Sequence, residues 1–366
     1  MPGADLAIRQ IIYSVLGLVV LFFALDIFWF RKLQKRLAIR AKALNIVVVL
    51  SILLAIYFSA KALTWQLLLQ IFILNIADLC ILALATTAIV LIFKTSVTTN
   101  FAQGTMATFG AFVAATFVMK LVAEGYQDKA SPMTILFAGL FAGILVSFLL
   151  GLLIDVLIIR RAKFVSPVGK QMITMGLVLV LMGLIPVIFG TNPISLDAFS
   201  VEIKVFEFAG GFFVISEQNL YVILITAIVL IALFLTLRFT KWGLGVRATA
   251  SSERVASMMG VNVHMITAMS WAIAGGLGAI AAFFYASMGS AVQIASMVPV
   301  QVNAFMAAVL GSFSSFGGSL IGVLLINVFS SIAPIYSETW QLVIVYGIIL
   351  LIVLAKPLGL LGKKIA

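Results

Sequence analysis

The residues of this 366-residue chain that could do chemistry are few, and their types argue against a soluble enzyme. His264 is the single histidine, so a histidine-based metal site or proton relay has almost nothing to work with. Cys80 is the single cysteine and can form no intrachain disulfide. No Gly-x-x-x-x-Gly-Lys-[Ser/Thr] occurs, and Gly359-Leu-Leu-Gly362-Lys363 is only a superficial echo of a phosphate-binding loop. Three carboxylates stand in or beside long apolar runs: Asp26, Asp78 and Asp155. A carboxylate at mid-bilayer costs about 2.5–3.5 kcal/mol on insertion scales, so each needs a reason. Asp26 lies one turn from a basic loop, and Asp155 lies just before Arg160; both can reach an interface. Asp78 is deeper, with Asn75 on the same helical face. The pair can line a polar path or hydrogen-bond a neighbouring helix as glue. An acid without an intramembrane base makes a poor proton relay, which favours glue.

The elements that position these residues follow from composition. The chain is 64% hydrophobic and 10% charged, and its mean hydropathy is +1.26. A soluble protein this apolar could not cover its surface. About 20 apolar residues make a membrane-crossing helix. Such runs are 11–30, 43–60, 67–93, 101–121, 133–159, 167–189, 220–237, 263–288 and 340–354. The apolar stretch 300–333 is interrupted from Gly311 to Gly318 and reads as a broken or re-entrant pair of half-helices. The expected fold is all-α: a polytopic bundle of about nine spans plus this segment. Gly139-x-x-x-Gly143, Gly318-x-x-x-Gly322 and Ala274-Gly-Gly-Leu-Gly278 suit close helix packing.

The net charge of +11 reads as topology rather than nucleic-acid binding. Basic residues collect in 31–42, at Lys94, in 160–170, in 238–254 and in 356–364, on alternate ends of the spans, while the other loops are acidic or mixed. That pattern places the basic loops in the cytoplasm, the N-terminus outside and the C-terminus inside. The first run is followed by Arg31-Lys32 rather than a small-residue cleavage site, so it is expected to be a retained anchor. Residues 1–62 then form a two-helix N-terminal extension to a core over 63–366.

The loop 241–264 is the most informative segment. Trp242 suits an interfacial anchor, and Gly243 and Gly245 permit a turn. Ser251 is the expected N-cap of a short helix with Glu253 in its first turn. Val255, Met258 and Met259 share one face, and Gly260 suits a left-handed C-cap. An exposed apolar stripe of this kind meets a partner or lies on the membrane surface.

This loop resembles the coupling segment of bacterial branched-chain amino acid (Liv-type) ABC transporter permeases, through Gly243-x-x-x-Arg247-Ala248, Glu253, Ala256 and Met259-Gly260-Val261-Asn262. Asn100-Phe-Ala-Gln-Gly104 with Gly110-Ala-Phe-Val-Ala114 is similar to the family's Asn-Phe-Ala-His-Gly segment and the helix after it. Ala304-Phe-Met-Ala-Ala-Val-Leu-Gly311 with Ser315, Gly317 and Gly318 resembles a third stretch, and Lys356-Pro-Leu-Gly-Leu-Leu-Gly362 its ending. The departures are Gln103 for the usual histidine, Asp78 and Lys94 in a normally uncharged helix, and residues 1–62.

The resemblance implies a permease subunit of an importer in the bacterial cytoplasmic membrane, moving branched-chain amino acids or similar small polar solutes inward. It is not itself an enzyme. The implied partners are two cytoplasmic ATP-binding subunits, a second permease (the same chain or another) and an external substrate-binding protein, with no nucleic acid. No cofactor is expected on this chain, since ATP and Mg belong to the ATPase subunits. Glu253, Arg254, Val255, Met258, Met259 and Gly260 would dock the ATPase. Asn75, Asp78, Asn100, Gln103, Asn303, Gly311, Ser312, Ser314, Gly317 and Gly318 would lie along the substrate path. The rival reading is an ion-coupled secondary transporter or channel using Asp78; a membrane scaffold is a third.

Overall fold

The computed structural model describes residues 65–126, 130–162, 165–208, 211–289, 291–356 and 359–361. The two expected spans before residue 62, Asp26 and the basic loop 31–42 lie outside the described residues. Twelve helices follow in order among those described: α1 (Trp65–Leu74), α2 (Ile76–Ser96), α3 (Gln103–Ala123), α4 (Pro132–Ile154) with a π-helical turn (Asp155–Ile159), α5 (Pro167–Phe189), α6 (Glu217–Phe239), α7 (Lys241–Ser251), α8 (Glu253–Met258), α9 (Val263–Ser287), α10 (Val298–Gly311), α11 (Phe316–Tyr336) and α12 (Gln341–Ala355). Between α5 and α6 stands an antiparallel hairpin, β1 (Ile203–Phe208) and β2 (Gly211–Ser216).

The chain divides into two compact units, Met1–Leu69 with Val328–Pro357 and Gln70–Asn327 with Leu358–Ala366. The described part of the first includes the end of α11, with Pro334 inside it, and the apolar 15-residue α12. Every site discussed below lies in the second.

Seven helices among the described residues are long and apolar enough to cross a membrane: Ile76–Ser96, Gln103–Ala123, Pro132–Ile159, Val168–Phe189, Glu217–Phe239, Val263–Ser287 and Phe316–Ile335. This is a polytopic α-helical membrane protein. Several helix starts are set by side-chain caps. Ser131 and Ser166, each followed by proline, accept from Thr134 N (3.3 Å) and Gly169 N (3.2 Å). Ser216 caps α6, Thr240 caps α7 and Asn262 caps α9 in the same way.

Three boundaries differ from expectation. The run 67–93 is interrupted at Asn75, whose Nδ2 donates to Ile71 O (2.8 Å), a local bond that competes with regular helix. The stretch 300–333 is not two half-helices: α10 has 14 residues, but α11 has 21 and is of spanning length. The break is only 312–315, because Gly311, Gly317 and Gly318 are helical. The hairpin was not expected from a mixed polar loop. Its alternation is visible in hindsight: Phe213 is wholly buried and stacks on Phe206 (5.9 Å), while Phe212 faces outward. The Gln70 amide pins β2 by donating to Val214 O (3.0 Å) and accepting from Val214 N (2.9 Å). Lys204 pairs with Glu217 at 2.9 Å, and that carboxylate raises the lysine's pKa above its ordinary value.

The core is built around α9, which packs along α2, α3 and α4. Its small residues explain why. A Cβ at Gly275 would stand 2.2 Å from the carbonyl oxygen of Ser147 on α4, and one at Gly151 of α4 would stand 2.3 Å from that of Trp271. Backbones touch at these crossings, which gives dispersion contact where lipid supplies no hydrophobic drive between helices. Trp271 is wholly buried, and its Nε1 donates to Ser96 Oγ (3.1 Å).

Candidate functional site

Two features of the second unit are anomalous for a simple apolar bundle: a polar break buried among the helices, and an apolar stripe exposed on a loop.

The polar break is the segment 97–102 between α2 and α3. Thr174 is the eighth residue of α5, and Ala274 lies eleven residues past the start of α9. At about 1.5 Å rise per residue, the break touches these helices about 10–16 Å from their α7–α8 ends. The break is therefore packed among helix bodies rather than beside helix ends. Irregular backbone survives there only if protein satisfies its polar groups or it lines a cavity. Here protein does so. Ala102 N donates to Asn100 Oδ1 (2.9 Å), Asn100 Nδ2 to Gln103 Oε1 (3.2 Å), and Gln103 Nε2 to Ala274 O (2.8 Å). Phe101 N donates to Thr174 Oγ1 (3.2 Å), and Gln171 Nε2 to Thr99 Oγ1 (3.2 Å). From α10, Gln301 Nε2 donates to Phe101 O (2.7 Å), while its Oε1 accepts from Gly104 N. Asn100 and Gln103 are buried and bonded within the protein; Gln301, Thr174 and Gln171 belong to the same network and were missed. Gln301 carried a signal, since it is a polar residue inside an apolar run.

The second break, 312–315, closes the end of α10. Ser312 has φ +106°, an unusual conformation for a residue with a Cβ. It is held by Ser312 N to Ala308 O (2.9 Å) and by the Ser312–Ser314 hydroxyl pair (2.7 Å). The motif at the chain's end also acts here: Leu360 N donates to Leu310 O (2.8 Å) and Leu361 N to Gly311 O (3.3 Å), satisfying carbonyls that a helix end leaves open. Lys94 Nζ donates to Ser314 O (2.7 Å) and lies 5.1 Å from the Phe316 ring centroid, placing a cation at the negative end of α10. Ser314 and Gly317 are exposed and Gly318 is buried.

The expected path residues do not gather in one place. Asp78 stands in the first turn of α2, on its exposed surface, about 27 Å along the helix from Ser96. Asn75 precedes it, and its carbonyl accepts from Asn327 Nδ2 (3.2 Å) on α11. Asn303 is half-buried on α10. Asp155 does not reach for the interface: it is buried in the π-helical turn, 3.4 Å from Arg160 Nη2 and 3.5 Å from Thr267 Oγ1. Arg160 also donates to the carbonyl of His264 (3.0 Å), tying the α4 end to the start of α9.

The loop 241–264 forms two helices, not one after a turn. Gly243 and Gly245 lie inside α7, where Gly243 packs on the Leu237 backbone and Gly245 on Ile266. Arg247 donates to the Leu237 carbonyl, fastening α7 to the end of α6. The N-cap of α8 is Ser252, not Ser251, and its Oγ accepts from Val255 N (3.3 Å). Gly260 has φ +83°, and Val261 N returns to Ala256 O (3.0 Å). Ala256 faces inward at 4% exposure, whereas Val255, Met258 and Met259 are 53%, 71% and 78% exposed. Glu253 and Arg254 are exposed beside them.

A bundle of apolar spans with a satisfied polar break packed among them, and a helical loop displaying an apolar stripe, defines a multi-pass membrane protein. The chain belongs to the family described as branched-chain amino acid transport system, permease component, which matches residues 68–354. Among its relatives, the high-affinity branched-chain amino acid permease protein BraD of Pseudomonas aeruginosa is 28% identical over 151 residues, 41% of this chain and 49% of that protein. The corresponding LivH of Escherichia coli K12 is 25% identical over 150 residues, again 41% and 49%. The match therefore spans about half the length of these two relatives. A probable branched-chain amino acid permease, LivH of Methanocaldococcus jannaschii, is 26% identical over 295 residues, 77% of this chain and 89% of that protein. No solved structure matches.

Proposed function

We propose that the chain is the permease subunit of an ATP-driven importer, carrying branched-chain amino acids or similar small polar solutes inward, with hydrolysis performed by separate cytoplasmic ATPase subunits. The observation that carries this reading is α8. Its inner face packs through Ala256, while Val255, Met258 and Met259 present bare apolar surface off the membrane-crossing helices. Methionines make adaptable contacts in a partner's groove. Family membership supplies the class of partner. In this reading Glu253, Arg254 and Gly260 frame the docking stripe, an external binding protein delivers the solute, and a second permease completes the pore. The α7–α8 end and the C-terminus face the cytoplasm, in line with the basic residues Arg238, Lys241, Arg247 and Arg254.

The test is ATP-driven uptake of leucine in proteoliposomes holding the whole complex. The triple variant Val255→Asp, Met258→Asp, Met259→Asp is expected to lose uptake and to release the ATPase on purification. Normal uptake by that variant would remove the assignment. Asp78→Asn is expected to leave uptake intact, because Asp78 stands apart from the buried break; loss of uptake there would favour an ion-coupled carrier instead.

A further inference from the structure

We propose that Gln301 is a gate residue: it clamps α10 onto the break between α2 and α3 and separates two voids that the solute path must join. This rests on the transport reading above, but the geometry stands by itself. On one side of Gln301 lies a crevice of about 190 Å³. One part of its wall is polar, from Thr105, Thr108 and Gln301; the rest includes Met175, Val178 and Met182 of α5. On the other side is an apolar void of about 10 Å³, bordered by Ala85, Ile89, Gln103, Ala107, Gly278 and Met297. Gly104 and Gln301 are the residues that border both.

The closure between them is tight and made of exchangeable bonds. Gln301 donates to Phe101 O (2.7 Å) and accepts from Gly104 N, so its amide spans the first turn of α3. A Cβ at residue 104 would stand 2.3 Å from Gln301 Oε1; glycine there lets the side chain seal directly against backbone. Nothing covalent or charged holds the clamp. Rotation of one side chain, or a small withdrawal of α10, frees one N–H and one C=O facing the crevice. Water or a polar solute then takes the place of the amide. A mixed wall of hydroxyls and apolar side chains suits a small solute carrying both kinds of group.

The experiment uses the full chain in lipid nanodiscs with its single, buried cysteine replaced (Cys80→Ala). Two reporters are introduced separately: Thr105→Cys in the crevice and Ala107→Cys at the inner void. The probe is 2-aminoethyl methanethiosulfonate. With Gln301 present, Thr105→Cys is expected to react and Ala107→Cys to react slowly. Adding Gln301→Ala should raise the rate at Ala107→Cys tenfold or more and change Thr105→Cys less than twofold, which also shows that the fold is kept. Gln301→Glu, which retains an acceptor for Gly104 N–H but loses the donor to Phe101, should give an intermediate rise. Equal rates at Ala107→Cys with and without Gln301, in either variant, overturn the gate. Because labelling needs no ATPase, it can fail while uptake remains ATP-driven. Conversely, a chain that gates but takes up no leucine with ATP would overturn the importer reading alone.

Discussion

The break at 97–102, with the first turn of α3, and the helix α8 invert the usual arrangement in opposite directions. In the break, amides and backbone groups are buried where lipid or apolar side chains would be expected; in α8, apolar side chains stand bare outside the spans. The break closes its own account: Asn100 and Gln103 are buried, and each bonds to chain from the segment itself or from α9. The stripe of α8 does not, since Met258 and Met259 are more than two-thirds exposed. Equally bare residues on the spans, such as Leu179 at 73%, have the bilayer to cover them. A buried polar group left unpaired costs about 1–3 kcal/mol, so the break must be satisfied within the fold. An exposed methionine costs the isolated chain little, so α8 can wait for a second protein.

The contrast can be broken first at the scaffold that holds the break. Gly275→Leu would drive a side chain into the backbone of Ser147. Overpacking of this kind costs about 3 kcal/mol, and here the obstacle is backbone that cannot step aside. The expected result is loss of most folded, monodisperse protein in detergent; thermal unfolding close to that of the parent would show that α4 and α9 can separate. Next comes the break itself. Gln103→Leu keeps the bulk of the side chain but strips the donor from Ala274 O and the acceptor from Asn100. A loss of about 2 kcal/mol is expected from the orphaned groups. Thermal unfolding followed by tryptophan fluorescence measures it, and an unchanged midpoint would mean that water already serves these groups.

The sequence made the break and the stripe legible to different degrees. The stripe could be read almost whole, because Val255, Met258 and Met259 follow helical spacing and Gly260 ends the run with the φ that glycine favours. Its start was misplaced by one residue: Ser251 and Ser252 are equivalent by type, and only the extended backbone at Ser252 decides between them. In the break, Asn100 and Gln103 stood out as polar residues before a small-residue helix. Their partners did not, since Ala274 contributes a carbonyl and Gln301 comes from about 200 residues away. Asp78 and Asp155 share one feature that sequence leaves open. Hydropathy gives depth along a helix but not the face, and the structure turns Asp78 outward and Asp155 inward against Arg160. The hairpin escaped because its alternation spans only six residues per strand amid acidic loop.

A smaller effect is expected where α8 begins. Ser252→Ala removes the acceptor for Val255 N and should destabilise the helix by about 1 kcal/mol. A helix of six residues has little cooperative reserve, so the loss should be local. Hydrogen exchange is expected to quicken at Val255 to Met258 and stay unchanged in α9; equal protection in both proteins would show that packing of Ala256 alone holds α8.

The smallest effect on stability sharpens the comparison most. Replacing Val255, Met258 and Met259 together by glutamine keeps helix-compatible side chains and adds no charge near the negative end of α8. If the stripe touches nothing in the chain, the change should stay within about 0.5 kcal/mol, as for surface substitutions generally. The same variant should lose the ATPase on co-purification. A lowered unfolding midpoint would mean that the stripe packs against this chain itself, and α8 would then belong with the break, as a feature the fold satisfies alone. An unchanged midpoint with the ATPase retained would place docking elsewhere on the α7–α8 end. Only the pairing of unchanged stability with lost assembly separates a surface built for a partner from one that folding merely left uncovered.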